Sequence, residues 1–529
     1  MRRRFRHERR TAGGWLGFLA AVAWLSLVLN LPNWPPYWFG ANHARLAPEA
    51  VGLLAVLALA AVLGRSPGRA WAWAVAVPLF VLVLLRLGDL AANLMLGRPV
   101  NLALDLPLLP SILEVIVASA SWTELAVAAV LVPVGLAAIL ALNRAAAGAL
   151  ATTARHRSAP LLAGSLMVGA AGAFGLGVFP PPSWSATALA ANQVRAAAET
   201  AALLEEHRRR IAADPLAGDG GTAGLLGGLG GRDVTVVFVE SYGEVALDDP
   251  DISRTILPLL DGAGRRLEAA GVDLRSGMLV SPVRGGQSWL AHGTLLTGLR
   301  LSSQPLYAMA LAARRTTLAH LFDRAGYETA AVAPAIRRAW PEGVVLGFGH
   351  ILDADRLGYA GPNYGWAGIP DQYTLSALGR VLPAGRPVFA QVVLVSSHGP
   401  WRPVPPMVAD WDRIAGGEIY RVAAQRPAGA DIREDYATAL GYSLASVFEW
   451  IERRVEDGGL VIVLGDHQPA PLVAGPDASY AVPVHVASRS ADLVEAFAGW
   501  GFVPGPRPGG EPLPMEAFRD RFVETFSRP

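Results

Sequence analysis

Three apolar runs in the C-terminal half of the chain each end in side chains that bind cations or phosphate. Val234 to Val239 leads into Glu240-Ser241-Tyr242-Gly243, Val388 to Val395 into Ser396-Ser397-His398-Gly399, and Leu460 to Leu464 into Gly465-Asp466-His467. Each alone has an ordinary reading: a Glu after a strand caps a helix, and an Asp-His pair is structural. Three on one sheet edge are a different matter, because carboxylates buried there are costly without a cation. A fourth piece, Gly285-Gly286-Gln287-Ser288-Trp289-Leu290-Ala291-His292, precedes an apolar helix that reaches Leu299. Ser288 stands where that helix begins, a place suited to an N-cap and equally to a phosphate held by backbone N–H groups. Beside a divalent metal the same hydroxyl is a nucleophile.

The elements that must position these groups follow from the pattern after residue 232, where apolar strands alternate with amphipathic helices. Further strands are expected at Tyr327 to Val332 and Val482 to Val486, and helices at Ile256 to Ala270 and Asp435 to Val455. The second helix carries Leu444, Val447, Phe448 and Ile451 at helical spacing. This predicts an α/β domain over 232–510 with a mostly parallel sheet, whose ligands collect at the carboxyl ends of the strands. Residues 511–529 read as a C-terminal tail.

The first part of the chain is of another kind. Of 529 residues 52% are hydrophobic and 17% charged, and mean hydropathy is +0.34, which argues against a cytosolic enzyme. Five stretches, at about 13–31, 47–64, 69–89, 123–142 and 160–179, approach the length of an apolar helix that crosses ~30 Å of hydrocarbon. They define a transmembrane domain over 1–182. The tail with Arg2, Arg3 and Arg4, the turn with Arg65 and Arg69, and the loop with Arg144, Arg155 and Arg157 make alternate loops basic. The N-terminus is thus expected in the cytoplasm and everything after the fifth span outside, as in a multi-pass protein of a bacterial inner membrane. The 91–122 stretch, broken by Asp105, Pro107, Pro110 and Glu114, reads as interfacial or re-entrant. Residues 183–231 read as a helical stalk with a Gly-rich linker, which precedes a strand instead of following one and so is no dinucleotide loop.

Composition removes several functions. All 45 basic residues are Arg, against 44 acidic ones, and the net charge is +1, so a nucleic-acid partner has no support. The absence of cysteine excludes disulfides, thiolate metal sites and Cys nucleophiles.

Taken in order, Glu240 after the first strand, a Gly-rich turn with Ser288, Ser396-Ser397-His398-Gly399-Pro400-Trp401, and Gly465-Asp466-His467 resemble the alkaline phosphatase superfamily. The similarity is to its membrane-anchored sulfatase-like branch, which includes lipoteichoic acid synthases and phosphoglycerol transferases. Leu321 to Tyr327 and Trp366 to Asp371 are similar to that branch's intervening motifs. The resemblance implies a divalent metal, Mn²⁺ or Zn²⁺, held by Glu240, Ser288, Asp466 and His467. It implies Ser288 as the nucleophile that forms a covalent intermediate, with His398 facing the substrate. A phosphoglycerol or phosphoethanolamine type of group would pass from a membrane phospholipid to an envelope glycan or lipid acceptor.

The chain departs from that pattern where substrate is bound. Ala333 stands at a His position and Glu342 at an Arg position, while Trp340 matches the branch's Trp; Arg337 and Arg338 are the substitutes at hand, and His292 is either substrate-facing or a packed helix residue. His320 and His485 read as structural. A sulfatase is the nearest rival, but Ser288 is followed by Trp289, Leu290, Ala291 and His292, without the Pro/Ala and Arg by which sulfatases mature their nucleophile. A phosphodiesterase or phosphatase of the same superfamily is a second rival, and a non-catalytic envelope protein that retains the fold is a third.

Overall fold

The computed structural model describes residues 2–29, parts of 47–63, 69–153, 186–217, 224–366, 368–382, 385–421, 431–454 and 458–527. They fall into two units, residues 1–94 with 98–201, and residues 95–97 with 202–529.

In the first unit the helix Arg2–Leu29 packs Phe18, Ala21, Leu25 and Val28 with Ala146 and Leu150 of the helix Trp122–Thr153. The Trp24 indole N–H donates to Asn143 Oδ1 at 2.9 Å. Among the described residues two helices are long and apolar enough to cross a membrane, Ala70–Leu96 and Trp122–Thr152. At 1.5 Å per residue each exceeds the ~30 Å of a hydrocarbon core. The apolar part of the first helix, Leu16–Leu29, covers only about 21 Å. The expected span at 47–64 lies largely, and that at 160–179 wholly, outside the described residues. Among the described residues, then, two of the five expected stretches have the length and composition of a span. The 91–122 stretch is broken: after Leu96 come the short helix Leu102–Asp105, capped by Asn101, and the helix Leu109–Ser119, whose 11 residues reach about 16 Å.

The second unit is built on one sheet. Its strands are β1 (Val234–Val239), β2 (Asp273–Val280), β3 (Glu328–Val332), β4 (His350–Leu352), β5 (Val388–Leu394), β6 (Leu460–Gly465), β7 (Ala481–Ser488), β8 (Val503–Pro504) and β9 (Leu513–Pro514). They lie in the order β4-β3-β5-β1-β6-β7-β2-β8, with β9 also on β2. β4, β3, β5, β1 and β6 are mutually parallel. β7 runs antiparallel to both β6 and β2, so the sheet is mixed, while the pairings from β4 to β6 are parallel, as a mostly parallel sheet requires. β7 returns beside β6 after a connection with only the short helix Pro471–Ala474, without the full crossover helix that parallel pairing needs.

Both faces of the sheet are covered, which is why its central strands are continuous apolar runs. Val237 and Val239 face one layer, with the helices Pro250–Ala269, Asp371–Val381 and Ile432–Arg454; Val234, Val236 and Phe238 face the other, with Ser288–Thr297, Leu318–Arg324 and Phe518–Phe526. Residues after 510 are thus no tail. β9 extends the sheet, and Phe518, Phe522 and Phe526 sit one helical turn apart in the second layer. Between them Arg519, fully buried, meets Asp214 at 2.9 Å, and Asp214 also meets Arg315 at 3.1 Å. Asp214 follows the helix Ala186–Ala212, so the segment entering the domain is tied to its last helix.

Candidate active site

β1, β5 and β6 are side by side and in register, with Val239 opposite both Leu394 and Gly465. The next residues, Glu240, Val395 and Asp466, therefore leave the sheet at one edge. Neighbouring strands are ~4.8 Å apart, so Glu240 and Asp466 arrive as adjacent carboxylates, 4% and 0% exposed. Gly465 has to lack a side chain, since a Cβ there would lie 1.8 Å from the Tyr242 carbonyl oxygen.

Each side chain is then held. Ser241 adopts φ 58°, which turns its N–H onto Asp466 Oδ1 at 2.7 Å; the His467 N–H donates to the same oxygen at 2.7 Å. Asp466 Oδ2 is buried without any hydrogen-bond partner. His467 Nδ1 is 2.8 Å from the Gln468 carbonyl oxygen. A carbonyl only accepts, so Nδ1 carries the proton and Nε2 presents its lone pair. That nitrogen lies 3.4 Å from Glu240 Oε1 and 3.7 Å from Asp466 Oδ2, and one ligand atom from each of the three residues falls within 4.8 Å of the others. Ser288, the first residue of the helix Ser288–Thr297, is set up by Gln287 at φ 66°. Its Oγ donates to Glu240 Oε2 at 2.9 Å and lies 3.2 Å from His467 Nε2.

The electrostatics are those of a site built for positive charge. Burial, and then the Glu240 charge beside it, hold Asp466 well above the usual carboxylate range. For Glu240 burial works in the same direction, but its interactions with the neighbouring His398 and His467 and the Ser288 hydrogen bond outweigh it and hold that carboxyl low. Two carboxylates, one neutral imidazole nitrogen and a hydroxyl converge around an orphaned oxygen, a donor set that fits a divalent cation.

His398 approaches from β5, near enough to bear on Glu240. Its Nδ1 donates to its neighbour's carbonyl, Gly399 O, at 2.6 Å, and its ring stacks on Trp366 with centroids 4.4 Å apart. The turn beneath is fixed by Ser397 Oγ donating to Glu240 O at 2.6 Å and by Trp401 Nε1 donating to Ser397 O at 2.8 Å.

Residues 266–486 match the sulfatase family model. Over that stretch, less than half of its length, the chain is similar to the sulfatase family. The match takes in Ser288, His398, Asp466 and His467, and starts after Glu240. No curated protein sequence matches the chain. Among solved structures it is similar to the lipoteichoic acid synthase LtaP of Listeria monocytogenes, at 16% identity over 52% of this chain and 69% of that one, TM-score 0.36. It is similar to the phosphoglycerol transferase GacH of Streptococcus pyogenes, at 15% identity over 62% and 81%, TM-score 0.39. It is also similar to the integral membrane lipooligosaccharide phosphoethanolamine transferase A of Neisseria meningitidis, at 12% identity over 94% of both chains, TM-score 0.44.

Within the second unit the remaining expected residues are placed unevenly. His292, one turn after Ser288, rests on Phe238 with ring centroids 4.2 Å apart, and its Nε2 is buried without a partner. Burial lowers its pKa to about 4 against the pull of the Glu240 charge, so the imidazole is neutral. Arg337 and Arg338 are exposed in the segment after β3. Trp340 precedes the helix Pro341–Val345 and packs on Phe348, ring centroids 6.4 Å apart; this is core packing, not membership of the ligand cluster. His485 lies buried between the Tyr242 hydroxyl at 3.0 Å and Ser276 Oγ at 2.8 Å. His320 closes a capping box with Thr317. Nothing in the sequence hinted at the partners of Asp371, whose Oδ1 accepts the Val395 and Ser396 N–H groups at 2.7 and 3.0 Å, or at the Trp366 stack. The spacing of Trp366 and Asp371 was visible, but their partner is a turn some thirty residues away.

Proposed function

We propose that this domain transfers a phosphoryl-alcohol group, of phosphoglycerol or phosphoethanolamine type, from a membrane phospholipid to an envelope glycan or lipid acceptor outside the cytoplasm. The observation that carries the proposal is the position of Ser288 Oγ, 2.9 Å from Glu240 and 3.2 Å from His467, at a helix N-terminus and beside the orphaned Asp466 oxygen. Glu240, Ser288, Asp466 and His467 would hold one Mn²⁺ or Zn²⁺. Such an ion supplies positive charge that lowers the Ser288 hydroxyl pKa and offsets negative charge at phosphorus.

The chain's own groups do the rest. Ser288 Oγ, its proton released to solvent, attacks phosphorus, and the ester bond to the diacylglycerol oxygen breaks. His398, its Nδ1 committed to Gly399 O, delivers a proton from Nε2 to that oxygen. The headgroup is now esterified to Ser288. An acceptor hydroxyl gives its proton to His398 Nε2 and attacks phosphorus, the bond to Ser288 Oγ breaks, and that oxygen takes back a proton from solvent. Backbone N–H groups in the first turn of the Ser288–Thr297 helix favour the anionic group throughout.

The test is to incubate the full chain in detergent with phosphatidylglycerol or phosphatidylethanolamine, with a sulfate ester as control, and to weigh the Ser288 peptide. A headgroup-phosphate adduct that disappears in Ser288→Ala supports the reading. Turnover of the sulfate ester alone, or undiminished turnover in Ser288→Ala, overturns it.

A further inference from the structure

We propose that Trp366 is a positioning residue that sets the plane of the His398 imidazole, and that Tyr364, Trp366, Gly368 and Asp371 together clamp the turn that carries this histidine. The proposal rests on the reading of His398 as the proton carrier and adds the device that orients it.

The clamp has two grips. Reciprocal backbone hydrogen bonds of 3.0 Å between Tyr364 and Gly368 close a tight turn with Trp366 at its tip. The turn is anchored by the Tyr364 hydroxyl, which donates to Tyr420 O at 3.0 Å. From this tip the indole lies over His398 at 4.4 Å and 23°, an offset stack. Three residues past Gly368, Asp371 takes hold of the backbone: its Oδ1 accepts the Val395 and Ser396 N–H groups, its own N–H donates to Ser396 Oγ at 3.1 Å, and Ser443 Oγ donates to its Oδ2 at 2.5 Å. One segment thus fixes the backbone before His398 and the face of its ring. The contact from Nδ1 to Gly399 O is made to the next residue in sequence, so it fixes the tautomer while leaving the ring's swing to the indole. With both in place, Nε2 has one direction in which to hold or release a proton. Misplacing a proton donor by about 1 Å costs up to ~10²-fold in rate.

The experiment is a double-mutant cycle on the full chain in detergent, with kcat and KM from steady-state turnover of phosphatidylglycerol and metal content measured on every variant. Trp366→Ala is expected to lower kcat roughly 10- to 100-fold with KM and metal content unchanged, and Trp366→Phe, which restores a flat face, to recover most of it. In a His398→Ala background Trp366→Ala should change nothing further, because the ring it orients is gone. Equal losses in both backgrounds, or a loss confined to KM, would overturn the proposal. A readout free of activity accompanies the cycle: in histidine-labelled protein the His398 ring Cε1–H signal, shifted upfield by the indole face, should move downfield in both Trp366→Ala and Trp366→Leu. If no phosphodiester is turned over at all, the proposed function fails and this signal still decides the positioning role; an unmoved signal refutes it.

Discussion

Ser288 Oγ and Glu240 Oε2, 48 positions apart in sequence, stand 2.9 Å apart, because one opens a helix directly above the strand end from which the other projects. That pairing brings the hydroxyl into a cluster whose charge is unbalanced by protein groups alone.

The imbalance predicts a crossing of stabilities. With metal bound, Asp466→Asn should lower occupancy severely from about one ion per chain, since the cation loses an anionic ligand. With chelator present the same substitution should raise the melting temperature above that of wild type: it removes one of two adjacent buried carboxylates while keeping an oxygen for the Ser241 and His467 N–H groups. Metal analysis and thermal unfolding with and without chelator check both halves, and a variant less stable in chelator would contradict the repulsion.

Asp371 sets a pH dependence of its own. Burial, against its hydrogen bonds to Ser443, Ser396 and Val395, pushes its carboxyl up from 3.8 to about 6. A raised folded-state pKa means that the contribution to stability is complete below about pH 4 and is lost as pH rises through about 6, by about 3 kcal/mol. Asp371→Asn should flatten this part of the profile. Melting temperatures of both proteins between pH 4 and 7, compared as a difference, measure it; parallel profiles would mean that Asp371 ionises normally.

Removal of the last helix should be as damaging as disruption of the central strands. Phe522→Ala, at a fully buried position in a cluster with Phe322, Phe518 and Phe526, is expected to cost about 3 to 5 kcal/mol. Truncation after residue 510 should leave no cooperatively folding domain. Denaturant unfolding followed by tryptophan fluorescence tests both, and a truncated chain with an unchanged midpoint would return residues 511–529 to the status of a tail.

The basic loops predict orientation. A reporter active only in the cytoplasm, fused after residue 529, should stay silent, while one fused within the 143–157 segment should be active. Activity at the C-terminal fusion would reverse the assignment and place the catalytic domain inside.

What the sequence revealed and concealed follows from how local each feature is. Glu240 and Asp466 were legible because a strand covered on both faces is an unbroken apolar run, and the first polar residue after it marks the sheet edge. Direction of pairing has no such mark: Ala481–Ser488 looks the same parallel or antiparallel, so the sequence does not show which strand of a mostly parallel sheet is reversed. β2, beginning Asp-Leu-Arg-Ser-Gly, lacks the continuous apolar signature. Phe518, Phe522 and Phe526 do stand at helical spacing, but the charges between them made the segment read as solvent-exposed; fully buried Arg519 shows that one of those charges faces Asp214 instead. Trp340 is legible by type, whereas the stack of its half-buried ring on Phe348 is not. The stack of Trp366 on His398 joins residues 32 apart by number, a relation with no periodic trace.

The closure of the domain by its final helix also bears on how it is made. Leu226 N–H donates to Ser527 Oγ at 3.2 Å, and Leu226, Leu229 and Phe526 share one apolar layer, so the first segment of the domain finds its partners only when the last has been synthesised. At about 5 to 20 residues per second, Glu240 precedes Phe526 by roughly 15 to 60 s on the ribosome. For most of that interval β1 and its Glu240 stand without Asp466 and His467, which follow more than two hundred residues later, and without the last helix. Until the last helix is made, the unpaired strand edges are the surface on which the nascent domain is open to pairing with another chain.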